Sequence, residues 1–292
     1  MAIEELGPDT VWLDEPGAFA APLPLALQSG PPLRWNLFWG LLVISLLGTA
    51  AILPYSISLM RQAKDSQITP ALMPFILVVS LVVEGVMSAG AIALGIGLGR
   101  RSGLGPFLFD GVGSEVKPAS TEEIPSPRPR LWKTLGLATG LGIVLGGMVI
   151  AASFAVNPWM PESANKIVHP PAWESFLASI GAGIREEVWL RLGLMTLLAW
   201  LGMVTFRREP GNSGLIWTAN VLAALGFGAI HLPQAASLIG LNAAVVLFVF
   251  VGNGIPGIVF GWLFWRRGLV AAMTCHFVMD VVMKVIFPSL SR

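Results

Sequence analysis

Charge is scarce in this sequence. Asp, Glu, Lys and Arg make up 12% of the 292 residues, against a hydrophobic share of 54%, whereas soluble domains carry about a quarter charged residues. That shortage excludes an ordinary water-soluble domain. The formal net charge of +1 offers no basic face for nucleic acid and no field to draw in an acidic partner. Cysteine occurs once, at Cys275, which excludes an internal disulfide and leaves the redox compartment open. Ten-residue stretches of alternating polarity are missing, so an outer-membrane barrel is not expected. Residues 1–34 hold Glu4, Glu5, Asp9, Asp14 and Glu15, several prolines and one base, Arg34. A secretory signal needs a positive start and a short apolar core, so this segment reads as a disordered tail.

Long apolar runs are what the chain does have. Seven spans are predicted, at about 36–60, 71–99, 131–156, 173–206, 215–233, 241–265 and 269–287, so the fold class is all-α, a polytopic membrane helical bundle. Dividing the sixth span at Gly254–Pro256 would make eight, and Pro256 is expected to kink it. The fourth is too long for one perpendicular crossing and is expected to tilt, or to start as an interfacial helix before Gly181 and Gly183. The organisation is then a tail (1–34), N-terminal transmembrane helices with a Pro/Gly-rich loop near 100–130 (35–171), and a C-terminal core (172–287). Eleven bases, among them Arg100, Arg101, Arg207, Arg208, Arg266 and Arg267, fall on the side of the N-terminus and five on the other. That bias puts the N-terminus in the cytoplasm. Tryptophans at Trp35, Trp39, Trp132, Trp173, Trp262 and Trp265 suit interfacial anchoring.

A few ionisable groups fall inside the apolar spans: Glu84, Arg185, Glu186, Glu187, Arg191, His231, His276 and Asp280. Charge at bilayer depth costs at least about 2.5–3.5 kcal/mol per residue on insertion scales, so such groups pair or face a wet cavity. Glu187 and Arg191 are spaced i,i+4 for an ion pair. His276 and Asp280 have the same spacing, which lets the carboxylate hold the imidazole tautomer. Phe227 and His231 share it too. If the three helices converge, a pocket results with two glutamates, two histidines, an aspartate and an arginine. A carboxylate beside a neutral imidazole can take a proton from water, and a nearby donor can stabilise an oxyanion, which are the parts needed to hydrolyse an amide.

Glu186-Glu187-x-x-x-Arg191, Phe227-x-x-x-His231 and His276-x-x-x-Asp280, in that order and each in an apolar span, resemble the motif set of the CPBP (Abi) family. That family comprises type II CAAX prenyl endopeptidases and bacteriocin-processing or immunity proteins. The resemblance covers about 172–284. It implies an intramembrane endopeptidase in which Glu186 is the general base and works with His231 on the attacking water. Glu187 and Arg191 would organise and charge-balance the site, and His276 would face the oxyanion together with residue 280. Eukaryotic-type prenyl proteases carry asparagine at that last position. Asp280 cannot donate a hydrogen bond when ionised, so it suits orienting His276, or donating while protonated. The expected setting is the lipid bilayer of a bacterial plasma membrane, and the expected substrate a membrane-associated peptide or protein reached through a water-filled cavity, without a prenyl group.

Other readings of the same residues are an inactive CPBP-fold scaffold or immunity protein, and a proton-coupled transporter, although no internal repeat is visible. No cofactor is expected. Zinc is the alternative, with Glu186, His231 and His276 as its ligands, though the histidines lie on separate spans and no HExxH occurs. Phe227 is a candidate wall of the substrate pocket. Cys275 reads as a small buried hydrophobe, Glu84 as an interhelical contact, and His169 as a solvated loop residue. The glycines of GLATGLGIVLGG and GNGIPG are expected mostly to pack helices closely, with a broken backbone near Gly252–Gly257 also able to widen a substrate gate.

Overall fold

A computed structural model describes residues 34–62, 72–104 and 127–290. The tail expected at 1–34 lies outside them apart from Arg34, as does most of the loop near 100–130. Seven helices among the described residues are long and apolar enough to cross a membrane, which makes this a multi-pass membrane protein. No strand occurs among those residues. The helices are α1 (Trp35–Met60), α2 (Met73–Ser102), α3 (Pro127–Val156), α4 (Ala172–Glu187), α5 (Thr196–Thr205), α6 (Ser213–Leu238), α7 (Ala243–Arg267), α8 (Leu269–Val281) and α9 (Phe287–Leu290).

Two joins are π-helical. Val188–Met195 links α4 to α5, and Val282–Ile286 links α8 to α9. The fourth span is therefore one unbroken helix, Ala172–Thr205. It does not break at Gly181 or Gly183, and its irregularity lies later, in the first π segment. The sixth span is not split either: α7 runs through Pro256, so the count is seven and not eight. Inside apolar surroundings the backbone gains nothing by leaving a helix, because freed N–H and C=O groups would find no water.

Small residues decide which helices come close. Gly48 of α1 and Gly181 of α4 face each other, and a Cβ on Gly181 would come within 2.5 Å of Ile52 Cγ1. Gly142 and Gly146 of α3 lie against α8: a Cβ on the first would meet the Cys275 carbonyl at 2.6 Å, and on the second Val282 Cβ at 2.8 Å. This is the small-xxx-small packing that lets membrane helices approach without hydrophobic drive. It brings α8, with its histidine and aspartate, into the bundle. Gly140, by contrast, has open space where a Cβ would go. Gly146→Ala is thus expected to lower stability by about 1–3 kcal/mol through overpacking. Gly140→Ala should leave it unchanged to within about 0.5 kcal/mol. Thermal unfolding of the two variants in detergent checks the contrast.

Side chains tie the loops at one end. Gln62, just past α1, donates to the Val168 carbonyl at 2.9 Å and accepts from its N–H at 2.8 Å. Asn242 caps α7 by accepting from Val245 N–H at 2.8 Å, and its amide donates to the Trp159 carbonyl at 2.9 Å. Outward, α2 presents Phe75, Val78, Val82 and Val86, an apolar stripe at helical spacing that suits lipid.

Candidate active site

Consecutive residues on a helix point about 100° apart, so the neighbours Glu186 and Glu187 at the end of α4 look in different directions. Glu187 turns inward and is fully buried. Its Oε1 accepts from Nδ1 of His276, on α8, at 2.9 Å. Its Oε2 lies 3.3 Å from Nε of Arg191 in an ion pair without hydrogen-bond alignment. Arg191 is itself fully buried in the first π segment. Its guanidinium sits 5.3 Å from the ring of Phe227 and 5.7 Å from that of Phe260. Those faces supply the electrostatic partner that the remaining N–H groups lack. A Cβ on Gly257 would stand 3.3 Å from Arg191 Nη2, so this glycine of GNGIPG leaves room for the arginine. It does not mark a broken gate.

Glu186 keeps a small exposure of 7%. Its Oε1 accepts from Arg185 Nη2 at 3.2 Å, and Arg185 Nη1 donates to Glu84 of α2 at 3.1 Å. Arg185 also lies 4.8 Å above the Trp189 ring, and Trp189 Nε1 donates to Ser88, one turn beyond Glu84, at 2.9 Å. Glu84 is therefore an interhelical contact, as expected, and through Arg185 it steadies the outer carboxylate. The other oxygen, Oε2, is 3.8 Å from His276 Nε2, beyond hydrogen-bond range. It is free of a close protein partner on that side.

His231, half-buried on α6, has Nδ1 2.8 Å from the Phe227 carbonyl. A carbonyl oxygen only accepts, so Nδ1 carries the hydrogen and Nε2 presents a lone pair. Phe227 stands between the histidines, its centroid 5.0 Å from the ring of His231 and 5.6 Å from that of His276. It is 1% exposed and packs the site from within. On its other face His276 stacks against Phe260, with centroids 4.7 Å apart.

The structure thus gathers Glu186, Glu187, Arg191, Phe227, His231 and His276, from α4, the first π segment, α6 and α8. The expected role of Asp280 in holding His276 is corrected. Nδ1 of the ring is held by Glu187, and Asp280 instead accepts from Lys284 at 2.6 Å. The reason is geometric. Glu187 approaches His276 from a neighbouring helix in line with Nδ1, whereas Asp280 lies a turn away along the same helix and has a lysine within reach. Lys284 and Phe260 were not foreseen as site residues. The lysine stands four residues after Asp280, a spacing open to reading; Phe260 sits in an unbroken apolar run and carries no signal. Cys275 is buried beside Gly142, and His169 is exposed. Among the described residues no three His, Cys, Asp or Glu side chains group closely enough to hold a metal ion.

Residues 168–282 match a family described as type II CAAX prenyl endopeptidase Rce1-like. No curated protein and no solved structure matches. The matched stretch begins just before α4 and ends after Asp280, so it contains every one of the three motifs. The match supports a CPBP/CAAX protease assignment for the C-terminal membrane core.

Proposed function

We propose that this protein is an intramembrane endopeptidase that hydrolyses a peptide bond of a membrane-associated peptide or protein, using a water activated by Glu186 and His231. One observation carries the reading: two adjacent carboxylates occupy opposite environments. Glu187 is locked between Arg191 and His276, while Glu186 retains an oxygen facing His276 across 3.8 Å without a bond. Divergent environments for neighbouring acids are how a site separates a reactive group from a supporting one. In this reaction Glu186 takes one proton from water and His231 Nε2 accepts its second hydrogen bond. The water oxygen adds to the carbonyl carbon. Collapse of the tetrahedral species breaks the C–N bond, and Glu186 passes its proton to the departing amine. His276, its Nδ1–H held by Glu187, stabilises the oxygen that becomes negative in between by donating from Nε2 as an imidazolium, the form that a carboxylate partner favours.

The N-terminus is assigned to the cytoplasm and the membrane to a bacterial plasma membrane. Arg100 and Arg101 close α2, Arg207 and Arg208 follow α5, and Arg266 and Arg267 close α7. The N–H of Gly211 donates to the carbonyl of Ser102, which sets the α2 end beside the α5–α6 loop. This agrees with the excess of bases on that side.

The test uses purified protein in proteoliposomes and a pool of quenched peptides, anchored either by a lipidated cysteine or by one apolar span. Cleavage by the wild type, mapped by mass spectrometry, is expected. Tight peptide binding without cleavage would instead mark a scaffold. Treatment with 1,10-phenanthroline is expected to leave the cleavage rate unchanged, because in the proposed step Glu186 takes the proton from water directly, with His231 accepting its second hydrogen bond. Loss of activity that zinc restores would move the site to metal chemistry.

A further inference from the structure

A second charged pair repeats the layout of the first. Glu187 ends α4 and its cation, Arg191, stands four residues on in the first π segment. Asp280 lies at the end of α8 and its cation, Lys284, stands four residues on in the second. π-helical segments within α-helices recur at functional sites. His276 has both carboxylates near it: Glu187 on Nδ1, and Asp280 one turn further along α8.

Asp280 is buried, at 2% exposure. Alone, its negative charge would oppose any negative charge growing on a carbonyl oxygen near His276, and in a dry site that opposition is strong. Lys284 answers it. The ammonium is 2.6 Å from Asp280 Oδ2 and 5.8 Å from the ring of Tyr55 on α1. Its side chain is 30% exposed, far more open than that of Arg191.

We propose that Lys284 is a positioning residue for hydrolysis. By neutralising Asp280 beside His276, it keeps that flank of the site from repelling the oxyanion. This rests on the hydrolytic reading of the site. It also accounts for an aspartate here: Asp280 and Lys284 together are neutral.

The experiment compares wild type, Lys284→Met, the double variant Asp280→Asn/Lys284→Met, and Glu186→Gln in the proteoliposome cleavage assay, with melting temperatures for each. Lys284→Met should lower kcat by about 10–100-fold, the cost of one uncompensated charge several ångströms away at an intermediate effective dielectric, with KM little changed. The double variant should regain most of the rate, because no buried charge is left. If Lys284→Met does not fold, the folded double variant decides alone: near wild-type kcat supports the proposal, and lost activity overturns it. A folded Lys284→Met with wild-type kcat overturns it too, as does a double variant no faster than the single. An inactive wild type overturns both this proposal and the peptidase reading. A cleaving wild type with dead Glu186→Gln and unaffected Lys284→Met overturns only this one.

Discussion

Glu186→Gln should fold normally and lose about 10²–10⁴-fold in kcat, the usual contribution of a positioned general base. The change is nearly isosteric, and its amide oxygen can still accept from Arg185, which lies 3.2 Å from the present carboxylate. The Arg185–Glu84 pair is unaffected. What disappears is the capacity to take a proton. Initial rates in proteoliposomes, with melting temperatures in detergent as control, measure the effect. A folded Glu186→Gln that cleaves at the wild-type rate would remove Glu186 from the chemistry.

The second large effect is on folding. Arg191→Leu should destabilise the bundle by about 3–5 kcal/mol, because it leaves Glu187 as a buried charge without its cation. Both side chains have no exposure, so neither can turn to water. Glu187→Leu combined with Arg191→Leu should recover most of that loss, since an apolar pair of similar size is often as stable as a buried ion pair. Activity should not return with it. Glu187 also holds Nδ1 of His276 at 2.9 Å, and without that bond the ring loses its orientation. Unfolding in denaturing detergent, alongside cleavage rates, separates the two roles. Recovery of both stability and activity in the double variant would show that the Glu187–His276 bond does not matter to the reaction.

The seven crossings and the three polar clusters were readable from the chain because each depends on local spacing. A span needs only about twenty apolar residues, and Glu187–Arg191 needs only a helix and an interval of four. The same local logic misassigned Asp280. Its interval of four matches both His276 and Lys284, and nothing along the chain says which neighbour wins. The outcome depends on α4 approaching α8 closely enough for Glu187 to claim His276. Phe260 was invisible, and Gly257 was noticed only as part of GNGIPG, for a related reason: both sit in an apolar run, and their place in the site comes from Arg191 arriving from another helix.

By itself, then, the amino-acid order determined a membrane bundle and the residues with which it could do chemistry, since burying charge in lipid is costly enough to make every such residue conspicuous. Only the packing of α3, α4, α6 and α8 decided which carboxylate holds His276, which one keeps a free edge, and which cation balances Asp280. Those choices rest on distances between side chains that lie far apart in the chain, and no periodicity along it records them.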